Sequence, residues 1–222
     1  MKFSTKAIHV GQEADPATGA TIVPIYQTST YTQDRVGVNK GYDYSRTINP
    51  TRVALERQLA SLEGGEFASA FASGMAATAA VLNVLAAGDH AIVTDDLYGG
   101  TYRLFSQVLT RYGLEFTYVD MSDLAAVRAA VKPNTKMFWV ETPTNPLLKL
   151  IDIRAIASLR ASLDPTAAGR QPAIVVDNTF ATPYFQQPLA LGADVVVHST
   201  TKYIGGHSDV VGGVAITNDR AL

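Results

Sequence analysis

The chain has no cysteine, which excludes disulfides, thiolate metal sites and cysteine nucleophiles. Its four histidines, His9, His90, His198 and His207, are spaced like no metal-ligand set. His198 and His207 read instead as hydrogen-bonding loop residues. Charged residues make up 17% and the net charge is -2, so there is no basic field for nucleic acid or an acidic membrane. Long apolar runs are missing too. The most apolar stretch, 75–87, is interrupted by Thr78 and Asn83 and is too short to span a bilayer. The N-terminus, MKFSTKAIHVGQ, has no apolar secretory core. Neither G-x-x-x-x-G-K-[ST] nor G-x-G-x-x-G occurs, which argues against a nucleotide site. Repeats and low-complexity segments are also absent. A soluble cytoplasmic protein is expected, with no nucleic-acid or membrane partner.

Against these absences stands a hydrophobic content of 47% in 222 residues, enough for a large core. Residues 1–48 show no clear periodicity and are rich in Thr, Gly, Pro and Tyr, including Tyr26, Tyr31, Tyr42 and Tyr44. They read as an extended N-terminal arm that needs a surface, either its own domain or a partner subunit. Residues 49–222 read as one domain. Leu55, Leu59 and Leu62 follow helical spacing, and Gly64-Gly65 stops that helix. Further helices are predicted over 74–87, 98–113, 123–131 and 153–163, and a polar loop over 164–171. Strands are predicted over 67–71, 91–94, 114–119, 136–140, 173–176, 194–198 and 211–217. This alternation predicts a three-layer α/β/α fold around a mostly parallel, seven-stranded sheet.

In such a sheet, ligands sit beyond the carboxyl ends of the strands. One strand end carries Ser73-Gly74-Met75 at a helix start, suited to a phosphate or to a plain capped turn. The next carries Tyr98-Gly99-Gly100, where a tyrosine can lie on a ligand ring or simply pack on the core. A third carries Glu141-Thr142-Pro143-Thr144-Asn145-Pro146, with Asn145 as a donor to a ligand oxygen. A fourth carries Asp177-Asn178-Thr179. A carboxylate there needs a partner such as a protonated pyridine nitrogen, unless it caps a helix or pairs with an arginine. The fifth carries His198-Ser199-Thr200-Thr201-Lys202. A lysine flanked by hydroxyls suits a Schiff base with pyridoxal 5'-phosphate (PLP), or is a surface lysine after a core strand.

Together YSRTINPT, FASGMAA, DDLYGGTYRLF, ETPTNP and VVDNTFATPYFQQPLALGADVVVHSTTKYIGGHSDVVGG resemble the cystathionine γ-synthase/γ-lyase family of fold-type-I PLP enzymes, over essentially the whole chain. The resemblance implies that Lys202 is the Schiff-base lysine and that Asp177 binds the pyridine nitrogen. It implies that Tyr98 stacks on the ring and assists proton transfer. Gly74, Met75, Ser199 and Thr201 would hold the phosphate, Asn145 would lie near the ring oxygen, and Thr179 would support Asp177 or the ring. Tyr44 and Arg46 would cross to a neighbouring subunit's phosphate, which implies a homodimer with shared sites, usually paired into a tetramer. Ile48 stands where the family often has glycine. Family members are longer, with a C-terminal domain that carries the arginine for the substrate carboxylate, and that domain is expected to be missing from residues 1–222.

The implied reaction is γ-replacement on a homoserine-derived amino acid, as in cystathionine γ-synthase. The alternatives are cystathionine γ-lyase and a truncated chain that only pairs with a partner. Gly100 stands where methionine γ-lyases carry cysteine, which disfavours that activity. The Tyr98-Gly99-Gly100 and Ser199-Thr200-Thr201-Lys202 motifs disfavour transamination.

Overall fold

The computed structural model describes residues 1–164 and 171–221. Most of the polar loop expected over 164–171 lies outside the described residues. The first helix, α1 (Phe3–His9), falls in the segment read as extended. It is held by contacts that local pattern cannot show. Lys6 Nζ donates to the Ser61 carbonyl (3.0 Å), and Gln58 Nε2 donates to the Ala7 carbonyl (2.6 Å). Both partners belong to α2 (Pro50–Glu63). Asn49 caps α2, Pro50 starts it, and Gly64 ends it in the left-handed conformation (φ 73°). The rest of the arm is tied to the start of α2. Thr51 Oγ1 accepts from Tyr26 N–H (2.9 Å) and donates to the Pro24 carbonyl (2.9 Å).

Seven strands follow the predicted order: β1 (Phe67–Phe71), β2 (His90–Thr94), β3 (Glu115–Val119), β4 (Thr135–Glu141), β5 (Ala173–Asp177), β6 (Val195–Ser199) and β7 (Gly213–Thr217). They form one sheet in the order β1-β7-β6-β5-β4-β2-β3. The ladder from β3 to β6 is parallel, and β7 runs antiparallel to both its neighbours. Between strands lie α3 (Gly74–Leu82), α4 (Gly99–Arg103), α5 (Leu124–Ala129), α6 (Ile153–Ala161) and α7 (Thr182–Phe185). The helix expected over 98–113 is composite. After α4 it widens into a π-helical turn (Leu104–Val108) and tightens to 3₁₀ (Leu109–Tyr112), closing on Gly113 at φ 84°. α7 and a 3₁₀ turn over Pro188–Leu191 are absent from the sequence-based expectation, and α3 stops at Leu82 rather than 87.

Both faces of the sheet are covered, so the middles of its central strands are apolar runs, such as Met137–Val140 and Ile174–Val176. Met137, Trp139, Val175, Val195 and Val197 pack on one face with Ala77, Val81 and Leu82 of α3 and with Phe105. Phe138, Val140, Ile174 and Val176 pack on the other with Ile153, Ile156 and Leu159 of α6. Each fully buried Val, Leu, Ile, Phe or Met among them contributes roughly 1.5–3 kcal/mol. The two-residue period of a strand then fixes the functional geometry. Glu141 continues the Met137–Trp139 row, Asp177 continues Val175, and Ser199 continues Val197. All three strand ends therefore point to the α3 side. His198 points the opposite way.

Candidate active site

At the carboxyl ends of these strands is a cavity of about 220 Å³. Of the eleven residues singled out in the sequence, nine line it: Gly74, Met75, Tyr98, Asn145, Asp177, Thr179, Ser199, Thr201 and Lys202. Tyr44 and Arg46 do not. They sit on the arm, with the Arg46 guanidinium 5.0 Å over the Tyr44 ring.

One end of the cavity is acidic. Asp177 terminates β5 and lines the cavity. Its Oδ1 accepts from the N–H (3.0 Å) and the hydroxyl (2.6 Å) of Thr179. That hydroxyl in turn accepts from Ser199 N–H (2.9 Å), so Thr179 locks the end of β5 to the end of β6. Burial raises the Asp177 carboxyl above its ordinary range, while the Thr179 bonds and nearby His198 pull it down. Among the described residues Asp177 has no ion-pair partner. A half-buried carboxylate on the cavity wall with no ion-pair partner is suited to a ligand that brings a cation.

The other end is a cradle of small groups. Ser73 caps α3 by accepting from Ala76 N–H (3.1 Å), and the N–H groups of Gly74 and Met75 have no partner within the helix, as at any helix start. A Cβ on Gly74 would lie 2.7 Å from Ser199 Cβ and 2.9 Å from Ser199 Cα. Only glycine lets the start of α3 meet the end of β6 this closely. The Thr201 hydroxyl accepts from Gly212 N–H (3.1 Å) and donates to the Gly212 carbonyl (3.3 Å), which ties the following loop down. Helix-start N–H groups beside a serine hydroxyl suit a phosphate.

Lys202 follows in a turn closed by its N–H to the Ser199 carbonyl (3.2 Å). It lines both this cavity and the adjoining opening beside Tyr203 and Val211, and it forms no ion pair among the described residues. The Asn145 loop is pinned from outside. Asp96 accepts from the Thr144 hydroxyl and from Leu147 N–H (2.9 Å), and Lys149 bridges Asp95 and Asp120 (both 3.0 Å).

Sequence reasoning missed Glu141, which lines the cavity and ends β4 as Asp177 ends β5. An acid closing an apolar strand was the available signal. His198 is the last residue of the strand predicted over 194–198, and it is not the loop hydrogen-bonder also expected there. His198 is buried in β6, and its Nε2 is hydrogen-bonded to the buried Glu63 of α2. Glu63 also accepts from Asn178 Nδ2 (2.8 Å). His207 does bond within its loop, to the Gly205 carbonyl (3.0 Å). Among the described residues no group of His, Asp and Glu side chains is placed to hold a metal ion.

The family model for the Cys/Met metabolism PLP-dependent enzymes matches residues 4–222. The chain belongs to that family. It is 58% identical over 222 residues to a probable cystathionine γ-synthase of Herpetosiphon aurantiacus, covering 99% of this chain and 67% of that protein. It is 54% identical to a cystathionine γ-lyase of Bacillus subtilis, covering 100% of this chain and 57% of the relative. It is also 54% identical to a cystathionine β-lyase of Coxiella burnetii, covering 98% and 55%. Among solved structures, metB from Corynebacterium glutamicum superposes with a TM-score of 0.94 at 52% identity, covering all of this chain and 56% of the other. A cystathionine γ-lyase from Lactobacillus plantarum complexed with L-serine gives 0.93 at 52% identity. The sheet and its flanking helices are thus the PLP-enzyme fold of this family. The chain spans little more than half the length of most of these relatives.

Proposed function

We propose that residues 49–222 are the PLP-binding large domain of a cystathionine γ-synthase, preceded by an arm over 1–48 that reaches a partner subunit. The observation that carries this reading is the cavity's polarity. An unpaired carboxylate lies at one end, a helix-start and hydroxyl cradle at the other, and a free lysine lines the space with them. PLP has the matching features: a ring nitrogen that takes a proton, a phosphate, and an aldehyde for the lysine. When bound, PLP acts as an electron sink for negative charge that develops at the substrate Cα.

The residues of this chain do the rest. Asp177, held by Thr179, balances the positive charge of the ring nitrogen. Gly74 and Met75 N–H groups, with the Ser199 and Thr201 hydroxyls, hold the phosphate. Asn145 orients the ring oxygen, and Tyr98 forms one wall and shares in proton transfer. Lys202 Nζ anchors the group and moves the proton at the substrate Cα. Tyr44 and Arg46 complete the phosphate site of a neighbouring copy, which makes the assembly a homodimer, paired further into a tetramer. Exposed apolar residues on the arm, Ile22, Ile25 and Val36, support such a contact. Among the described residues no helix is long and apolar enough to cross a membrane. A role in amino-acid metabolism would place the enzyme in the cytoplasm.

Synthase is preferred because the relatives at 57–58% identity carry that name. A γ-lyase is the second reading, supported by the B. subtilis relative. Product analysis of the full-length protein separates the two. An O-acyl-homoserine with cysteine should give cystathionine. Release of 2-oxobutanoate from cystathionine alone, without synthesis, would transfer the assignment to the lyase. A chain that never takes up PLP would be a non-catalytic partner.

A further inference from the structure

Glu141 has no part in the reading above, yet it is a carboxyl group only 5% exposed on the cavity wall. It is the register partner of Asp177 across the β4–β5 ladder, and register partners in a parallel pair project to the same face. Both its oxygens lie within hydrogen-bonding distance of one donor, the Tyr98 N–H (3.1 and 3.0 Å). The groups facing it are mostly acidic. They are Asp177 on β5 and Asp96 in the loop after β2. Lys202 lines the same cavity, and Lys149 is engaged outside with Asp95 and Asp120.

Two carboxyls side by side at the strand ends, one of them buried, cannot both ionise cheaply. Asp177 accepts on one oxygen from both the N–H and the hydroxyl of Thr179, while the two oxygens of Glu141 share the Tyr98 N–H. Asp177 is therefore the better place for the charge, and Glu141 the better place for the proton. Burial and the charges of Asp177 and Asp96 push Glu141 up to about 9, against the backbone N–H groups of Tyr98 and Asn145. Tyr98 is constrained at its other end as well, since a Cβ on Gly100 would overlap its ring.

We propose that Glu141 is a positioning residue. As a neutral carboxylic acid it grips the Tyr98 backbone N–H, fixing the tyrosine at the cavity wall and leaving the strand-end pair with one negative charge, on Asp177. Ionised, it would set a second negative charge beside Asp177, on the wall of the cavity that Tyr98 also lines, opposing any proton taken from the phenol. The effect on turnover rests on the functional reading above. The protonation state does not.

Infrared spectra of the full-length protein without cofactor, wild type minus Glu141→Gln, read the protonation directly. A protonated-carboxyl C=O band is expected at neutral pH, fading as pH rises through about 9. Absence of the band at neutral pH would overturn the proposal. Should Glu141→Gln not fold, the same titration of wild-type protein carrying isotope-labelled glutamate gives the answer. Turnover of the PLP-loaded protein reads the positioning. Glu141→Ala leaves the Tyr98 N–H unpaired and should lower kcat about tenfold with little change in KM. Glu141→Gln, the neutral isostere, should restore most of that loss, and equal losses in both would contradict the idea. A protein that shows the band but takes up no PLP would sink the functional reading and leave the protonation of Glu141 standing.

Discussion

Two buried titratable residues give the fold a pH dependence with opposite signs. His90 is fully buried, with Nδ1 and Nε2 each 2.8 Å from a threonine hydroxyl, of Thr135 and Thr117. Burial lowers it from 6.5 to about 4. In that window the unfolded chain binds a proton that the folded chain refuses, so this contribution is lost as pH falls from 6.5 to about 4. Glu141 is raised from 4.5 to about 9. There the folded chain holds the proton, so stability falls as pH rises, by up to about 1.4 kcal/mol per pH unit. The two offset each other between 4.5 and 6.5, and above 6.5 the carboxyl effect stands without the histidine. Urea denaturation across the alkaline range should show wild-type stability declining towards pH 9 and a flatter profile for Glu141→Gln. Parallel profiles would contradict the assignment. Lys202 and Asp177 were legible in the sequence because each follows an apolar strand run and carries a charge with no local partner. Glu141 follows a strand in the same way, but the proline-rich loop after it drew the reading to Asn145. His198 was not legible, since its partner Glu63 lies 135 residues away.

At the scale of elements, the site depends on how closely α3 approaches the end of β6. Gly74→Ala would drive a Cβ into the Ser199 backbone, and neither element can yield without moving the sheet or the helix. A loss of about 1–3 kcal/mol is expected, together with weaker PLP binding through the displaced N–H cradle. Thermal unfolding and a PLP titration of the full-length variant measure both. Unchanged affinity with a destabilised fold would show that the cradle does not hold the phosphate. The strands were legible because burial on both faces demands unbroken apolar runs, as in Ile174-Val175-Val176. Helix limits were less so. α1 forms through Lys6 and Gln58 bonds to distant carbonyls, and the π-helical turn at Leu104–Val108 leaves no mark in hydrophobic spacing.

At the scale of the molecule, one chain brings together nine of the eleven expected site residues, and the arm holds the other two away from its own cavity. In the proposed dimer, Tyr44 and Arg46 would serve a neighbour. The proposed function then turns on one bond that a single chain would make for itself, between Lys202 and PLP. Borohydride reduction of the full-length protein loaded with PLP, followed by peptide mass mapping, tests this most directly. The account predicts the reduced pyridoxyl adduct on Lys202 and its disappearance in Lys202→Ala. An adduct on another lysine, or a fully active Lys202→Ala protein, would contradict it.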